Sequence, residues 1–430
     1  MIQWLYQTCV WGMTPLLAAL PYRREKQGKE VKSRIPERFG KTNINRPIGK
    51  LIWIHGASNG EILSAIPLVD HLKSLPSAPH ILITTMTVTA ARLLEQRLDP
   101  NDYIHQFIPY DHPLWVKNFQ DHWKPDFVTW VESELWPNHL AAIKKRNIPS
   151  VLLNARLSDK SARTWSRFQK TFKNITSCFD IILAQSNPDK NRLQSLGLEQ
   201  AQYIDNLKNM AAPLPYDPIA ADDIRGIIEK RPTILFASTH APEEQMAFDI
   251  HQSLKKTIPD LLSIIIPRHP KRGEVLASDF VSQNPDINIA RRSLKMSPRL
   301  NTDIYIADTL GEMGLFYHLC PLVYVGNSIG THPGGGHNLL EPAWHGCAVI
   351  SGDSLFNFSD QESEMPKFGA LNIVSSQHEL EKSLLSLLKN ADKQKSMSDN
   401  AFDYVREKQS NGLNAIIEAI EPTCKNAKLL

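Results

Sequence analysis

Cysteine is scarce in this chain of 430 residues: Cys9, Cys178, Cys320, Cys347 and Cys424 lie far apart, and no two have CxxC spacing. That excludes a disulfide framework, a zinc knuckle and a thioredoxin-type motif, and it points to a reducing compartment. Neither sign of charge dominates, because 48 Lys+Arg against 45 Asp+Glu leave a formal charge of only +3. Nucleic-acid binding as a property of the whole chain is therefore excluded, and any basic patch has to be local. Internal repeats and low-complexity tracts are missing. So are a Gly-Lys-Ser/Thr loop, a GxGxxG after the first strand and an HExxH pair, which removes the P-loop, the usual dinucleotide fingerprint and the commonest zinc hydrolase motif. A chain with 42% hydrophobic and 22% charged residues is not disordered, and its length suggests two or three domains at roughly 150 residues each.

One long stretch at the start of the chain lacks charge altogether. From Ile2 to Tyr22 no ionisable Asp, Glu, Lys or Arg occurs, and the run is about long enough to cross a hydrocarbon core as a helix, although Gln3, Gln7, Thr8, Thr14 and Pro15 dilute it. No basic segment precedes it and no small-residue cleavage site follows, which argues against a removed signal peptide. Eight bases then follow (Arg23, Arg24, Lys26, Lys29, Lys32, Arg34, Arg38, Lys41), a flank that the positive-inside rule keeps cytoplasmic. The expectation is a membrane contact, spanning or interfacial, with the plainer alternative of an apolar helix packed on the body. A chain beginning near Ser33 is expected to leave the membrane and keep some activity.

Beyond Arg46-Pro47, short apolar runs alternate with helical stretches. Leu51–Gly56, His80–Thr87, Asp126–Glu132, Ser150–Ala155 and Ile181–Ser186 read as strands, and after the proline-rich stretch Asn209–Pro218 the rhythm restarts with Thr233–Thr239, Leu261–Pro267, Asp303–Thr309, Leu322–Ser328 and Ala348–Asp353. Continuous apolar strands separated by helices imply buried parallel sheets. The reading is α/β, two doubly wound domains in tandem with a cleft lined by strand carboxyl ends: residues 1–22 an anchor, 23–208 the first domain, 209–218 a linker, and 219–430 the second domain with a helical tail.

Several loops after these strands carry chemistry. HGASNGE, His55 to Glu61, places Glu61 at a strand's carboxyl edge where a helix begins. A carboxylate there is favoured in its ionised form and can accept a proton, whereas an acidic first turn alone would be unremarkable. Ser58 can cap that helix, and Gly56 and Gly60 allow a tight turn. Period-two alternation sends Glu132 and Glu134 to one side of a strand end, between Trp130 and Trp136. Lys160, Arg163, Arg167, Lys170 and Lys173 recur at helical spacing, which reads as a solvated face or as a surface for lipid-borne phosphates. Later, Arg268 and His269 close a strand and suit a phosphate. Gly311, Glu312 and Met313 open a helix, and Gly334 to Gly336 precede Asn338, a helix cap, and Glu341. His332 and His337 are weak metal candidates without a paired carboxylate motif.

Taken in order, HGASNGE, ESELWPN, NARLSDKS, DNLK, STHAPEEQ, PRHPKR, DTLGEMGLFY, GGGHNLLEPA and the pair Asn357-Phe358 resemble, over essentially the whole chain, the Kdo transferases of Gram-negative bacteria. Those enzymes move 3-deoxy-D-manno-octulosonic acid (Kdo) from CMP-Kdo to the lipid A precursor. The resemblance implies a GT-B fold and an inverting glycosyltransferase of the inner membrane, facing the cytoplasm, with no metal and no cofactor. It further implies Glu61 as general base and Glu132 and Lys208 as transition-state stabilisers. Ser58, Gly60 and Arg156 would meet the acceptor. Arg268, His269, Gly311, Glu312, Met313, Asn338, Leu339, Leu340 and Glu341 would form the CMP site. Two segments depart from the pattern: DNLK lacks an expected leading glycine, and Pro242 and Gln245 stand where glycine and an acid are expected. These departures touch loop shape more than chemistry. A GT-B enzyme using a UDP-sugar, whether transferase or epimerase, is the competing expectation, since fold alone does not fix function.

Overall fold

The computed structural model describes residues 2–132, 135–204, 213–330 and 334–430. The chain divides into two compact units, Met1–Ala212 with Gln409–Leu430, and Pro213–Lys408. The first holds seven strands: β1 (Leu51–His55), β2 (His80–Thr85), β3 (Ile104–Phe107), β4 (Phe127–Val131), β5 (Ser150–Ala155), β6 (Ile181–Ala184) and β7 (Ala201–Tyr203). They pair in parallel in the order β3-β2-β1-β4-β5-β6-β7. The second unit repeats the plan with β8 (Thr233–Thr239), β9 (Leu262–Pro267), β10 (Ile289–Arg291), β11 (Ile304–Ile306), β12 (Leu322–Val325), β13 (Ala348–Gly352) and β14 (Leu371–Val374), ordered β10-β11-β9-β8-β12-β13-β14. These are the two doubly wound α/β sheets that the alternating runs imply, a GT-B-like fold as the resemblance implies.

Helices on both faces explain why the interior strands are apolar throughout. Ile52 and Ile54 enter one core with Leu68 and Leu72, while Leu51 and Trp53 enter the other with Phe119 and Trp123. Full burial of one such side chain is worth about 1.5–3 kcal/mol, so a strand buried on both faces carries its own driving force. In each sheet the order reverses beside the first strand, between β1 and β4 and between β8 and β12. Ligands of open α/β sheets bind outside the carboxyl ends at such a switch point.

The chain's tail differs from the sequence expectation. In the last helix, Ala391–Asn426, Ala401, Tyr404 and Val405 pack in the second unit, whereas Ile416, Ile420 and Cys424, one face at four-residue spacing, pack with Ile52, Ile54 and Leu72 in the first. Lys50 Nζ donates to the Ala427 carbonyl at 3.0 Å and fixes that return. Chain order alone assigns these residues to the second domain.

The uncharged N-terminal run is not one span. It forms two helices, Ile2–Gly12 and Thr14–Glu25, the second opening with Pro15 in its first turn. No helix among the described residues is long and apolar enough to cross a membrane. One side is tied to the body: Tyr6 donates to Asp111 at 2.8 Å, Gln7 to Asn138 at 3.1 Å, and Trp11 meets the edge of His112. Other apolar residues face outward, with Trp4 66% and Leu16 65% exposed.

The basic flank is likewise only partly available. Arg38 is fully buried and donates twice to Glu30 and also to the carbonyls of Met86 and Ile108. Arg24 shares Glu30, and Arg34 is paired with Glu37. That leaves Arg23, Lys26, Lys29, Lys32 and Lys41 exposed.

Candidate functional site

In the first unit the candidate carboxylates stand on either side of the switch point. β1 ends at His55, the chain turns through Gly56, Ala57 and Ser58, and the helix Asn59–Lys73 begins. Gly56 lies close against the following helix, where a Cβ would stand 2.9 Å from Ile62 Cδ1 and push that side chain aside. Glu61 is the third helical residue rather than the first. Ser58 caps the helix by accepting from the Glu61 amide, while Glu61 reaches back and accepts from the Ser58 hydroxyl at 2.6 Å and the Ala57 amide at 2.7 Å. This reciprocal arrangement closes the first turn and fixes a 6% exposed carboxylate at a helix N-terminus. Gly60 is simply an exposed residue of that turn, with no left-handed conformation.

β4 ends at Val131, and Glu132 adopts a left-handed φ of 59°, so the strand alternation stops at Glu132 itself. Asn154 of β5, at φ 54°, extends its amide to Glu132 Oε1 at 3.5 Å where the β5–β6 register shifts. Arg156 follows on the exposed end of β5. In the second unit Ser238, at φ 55°, and Asn327, at φ 60°, hold the same conformation at the ends of β8 and β12. Such residues cost on the order of 1–2 kcal/mol each and collect where a site over-determines the backbone. Glu134 and Lys208 lie outside the described residues, as does His332.

Beneath the Glu61 loop, His55 is fully buried against Trp130, ring centroids 4.3 Å apart, and shares Nδ1 with the Thr84 hydroxyl. Burial, helped by nearby His139, pushes its pKa down to about 3, so it is a neutral structural ring.

The basic run from Lys160 to Lys173 is split between two helices, Asp159–Ser166 and Gln169–Thr176. Its five bases are all exposed, together with Phe168 at the break. The single helical face expected from the spacing is therefore interrupted.

In the second unit the loop after β8 begins at His240, and the buried Glu243 ties this loop to the one after β12. Its carboxylate accepts from the amides of His240 at 3.0 Å, Asn327 at 2.6 Å and Ser328 at 3.0 Å, and from the Tyr324 hydroxyl at 2.7 Å. Glu244 is paired with Arg272 at 2.9 Å. Arg268 and His269 follow β9 and are exposed; the Arg268 amide is bonded to Thr239 O, and His269 lies 5.8 Å, ring to ring, from His240. The triple glycine explains a distant motif. Gly334, Gly335 and Gly336 are all left-handed, and a Cβ on Gly335 would sit 2.3 Å from Asn357 Nδ2. Thus Asn357-Phe358 and GGG belong to one packed turn, joined by the Asn357 amide to Gly335 O at 3.3 Å.

The two short helices of this unit are placed as expected but tied differently. Glu312 precedes the helix Met313–Leu319, and its side chain is held by Arg292 and Thr309 rather than left for a ligand. Gly311 is left-handed. Asn338 is not the cap, which is Leu339; it stands one residue earlier, where its side chain accepts from the Leu340 amide at 3.0 Å and donates to Glu341 at 3.3 Å, while Leu339 and Leu340 are core residues. Burial pushes Glu341 up to about 7, against the opposing Asn338 hydrogen bond. A carboxyl raised in the folded state binds its proton after the unfolded chain has lost it, so stability falls as pH rises from the ordinary glutamate range through about 7. Glu341→Gln should remove that slope and leave the protein about 3 kcal/mol more stable than the parent at pH 8 and little changed at pH 4.5. Urea midpoints at the two pH values decide this, and equal slopes would rule it out.

Sequence reasoning thus located Glu61, Glu132, Arg268 and His269 at strand ends, and Asn338 and Glu341 at the start of the helix that follows β12. It missed His240 as a partner of His337 and Glu243 as the hub joining the two loops. Its only signal for either was their presence in shared motifs.

Comparison with known proteins bears on the family and the fold. Residues 33–211 match the family model described as 3-deoxy-D-manno-octulosonic-acid transferase (kdotransferase). The protein named probable 3-deoxy-D-manno-octulosonic acid transferase, mitochondrial, of Arabidopsis thaliana is 35% identical, over 90% of this chain and 88% of its own. The 3-deoxy-D-manno-octulosonic acid transferase of Rickettsia bellii is 32% identical over 94% and 96%. Among solved structures, the UDP-GlcNAc 2-epimerase of Neisseria meningitidis bound to UDP-GlcNAc superposes with a TM-score of 0.53 at 14% identity, covering 87% of this chain and all of that one. At that identity the likeness concerns the fold alone.

Proposed function

The chain belongs to the 3-deoxy-D-manno-octulosonic acid transferase family of glycosyltransferases, and from that premise we propose that it carries Kdo from CMP-Kdo to a lipid A precursor with inversion at the anomeric carbon. The observation that carries the reading is the division of labour between switch points: a fixed carboxylate, Glu61, at one, and Arg268 with its histidine neighbours at the other. An acceptor hydroxyl needs a base. Glu61 takes its proton as the oxygen attacks C2 of Kdo from the face opposite the phosphate, and the C2–O bond breaks with its electron pair staying on CMP. Arg268 stabilises that phosphate by charge-assisted hydrogen bonding. Glu132 and Lys208 are assigned to charge developing on the sugar, Asn338 and Glu341 to the ribose, and Ser58, Gly60 and Arg156 to the acceptor. Incubation with CMP-Kdo and lipid IVA, with the product weighed by mass spectrometry, tests the reaction; no mass gain of one or more Kdo units would end it. Arg268→Ala should lose about 1.5–3 kcal/mol of CMP affinity by calorimetry, the usual worth of a hydrogen bond to a charged group. Tighter binding of UMP than CMP would instead favour a UDP-sugar.

We also place the enzyme on the cytoplasmic face of the inner membrane. Trp4, Leu5, Leu16 and Leu20 are outward-facing on the two N-terminal helices, and Arg23, Lys26, Lys29 and Lys32 follow them, which is the composition of an interfacial contact with anionic lipid. The truncation point matters, because a chain beginning at Ser33 loses Glu30 and strands the buried Arg38. That chain should be about 3 kcal/mol less stable, whereas one beginning at Lys26 should fold normally and sediment with vesicles of anionic lipid at least about tenfold less. Unchanged vesicle binding of the Lys26 chain would move the contact to the basic surface around Arg163 to Lys173.

A further inference from the structure

Two histidines at the carboxyl end of the second sheet touch through nitrogen. His240, the residue after β8, and His337, the residue after the triple glycine, lie with their Nε2 atoms 3.1 Å apart and their rings stacked at 18°. Both are held from behind by the same carboxylate. Glu243 binds the His240 amide directly, and it binds the Asn327 amide, whose side chain in turn donates to Gly334 O at 2.9 Å while its carbonyl accepts from the Gly336 amide at 2.8 Å. Such a contact between two imidazoles needs one proton on the line joining them, given by one ring and accepted by the other. The pair can therefore be neutral or carry one shared positive charge. It cannot carry two, since two imidazolium rings would face each other at that distance.

The charged surroundings keep it neutral until an anion arrives. Burial is the largest influence on both rings, holding His240 below the ordinary range and His337 at about 4. Arg268, from the loop after β9, opposes protonation of both, and His269 opposes that of His240. Glu243 favours protonation of both and Glu244 that of His240, but these carboxylates are already bonded to backbone amides and Tyr324 and to Arg272, respectively. A phosphate bound by Arg268 would neutralise the guanidinium and set its own negative charge beside the rings, reversing the balance.

We propose that the His240–His337 pair takes up one proton when the nucleotide phosphate docks beside Arg268 and donates it to a phosphate oxygen as the sugar departs. The proposal rests on the CMP-Kdo reading above and adds an acid to it. In the balanced step, the C2–O electron pair stays on the phosphate, the pair's proton converts the departing CMP to its monoanion, and the acceptor oxygen bonds to C2. The acceptor's proton goes to Glu61. The pair is then neutral again and Glu61 releases its proton to solvent, so the proton taken up on docking leaves on CMP and the acceptor's proton replaces it in solvent.

Calorimetry of CMP binding to the whole protein at pH 8, in two buffers of different ionisation heat, counts the protons taken up. Free CMP is almost wholly dianionic there, a phosphate monoester having its second pKa near about 6, and cytidine, which shares base and ribose, supplies the baseline for groups such as Glu341. The wild type should take up close to one proton per CMP above the cytidine baseline, and His240→Gln and His337→Gln should each bring this to near zero while cytidine still binds. Turnover of both variants should fall about tenfold at pH 8 and less at pH 6, where solvent can protonate the phosphate. CMP binding by the wild type without proton uptake, or uptake undiminished in both variants, would overturn the pair's role and leave the donor assignment intact. Failure of the wild type to bind CMP at all would remove the donor assignment, and the pair's role with it.

Discussion

Glu61→Gln should lower turnover by between about a hundredfold and ten-thousandfold, the range set by loss of a positioned general base, while CMP affinity and folding stability stay nearly unchanged. The separation follows from geometry. Glutamine keeps the length of the side chain, so its carbonyl oxygen can still accept from the Ala57 amide, and the Ser58 hydroxyl can turn to accept from the new amide group. The first turn of Asn59–Lys73 therefore survives, with a loss of no more than about 1 kcal/mol expected from a weakened cap. What disappears is the lone pair that could take a proton. On the proposed function nucleotide affinity rests with residues of the other unit, Arg268 foremost, and should not register the change. Turnover within a factor of two of wild type, measured with saturating donor, would reduce Glu61 to a capping residue.

The strands that the sequence revealed and those it concealed differ in one physical respect. The ten apolar runs are the ten interior strands of the two sheets, and the four strands that escaped notice, β3, β7, β10 and β14, are the four edges. An edge strand is covered less and is short, so IHQF, AQY, IAR and LNIV carry polar residues and no continuous apolar signal. The N-terminal helices failed in the opposite way. Their composition is apolar enough to suggest a span, but Thr14 and Pro15 start a new helix after Met13, and side-chain bonds to Asp111 and Asn138 dock the first helix on the body. Local patterns report local environments, and neither the break nor the docking is a property of hydropathy.

The site was legible to the extent that its residues sit in loops directly after interior strands. Glu61 and Arg268 could be placed because a strand end fixes them within a few residues, and Glu341 because a helix start does. Arg38 could not, since its partner Glu30 and the Met86 and Ile108 carbonyls come together only in the folded unit, and a basic flank looks the same whether its arginines are solvated or buried. The His240–His337 contact joins residues 97 apart and depends on three consecutive left-handed glycines. Gly334 to Gly336 read as flexible in the sequence; in the fold they are the only residue type that fits against Ser354, Leu355 and Asn357.

Glu243 shows how a motif residue can be essential without touching a substrate. Its carboxylate accepts from four backbone amides, those of His240, Asn327, Ser328 and Ile329, and from the Tyr324 hydroxyl, and the residue is 3% exposed. Glu243→Ala would leave those donors buried with no acceptor, at about 1–3 kcal/mol for each group that water cannot reach. We expect a loss of at least about 4 kcal/mol in unfolding free energy, a large share of the stability of any single domain. Gly326 makes relief by local collapse difficult, because its backbone already lies close against the Glu243 carboxylate and the Thr239 backbone. Glu243→Gln should cost less, since one oxygen remains to accept, yet its amide group must then face a backbone N–H that can only donate. The order Ala worse than Gln, with both losing stability in urea melts, separates a structural carboxylate from a catalytic one. A stable Glu243→Ala protein that had lost only turnover would place Glu243 among the reacting groups instead.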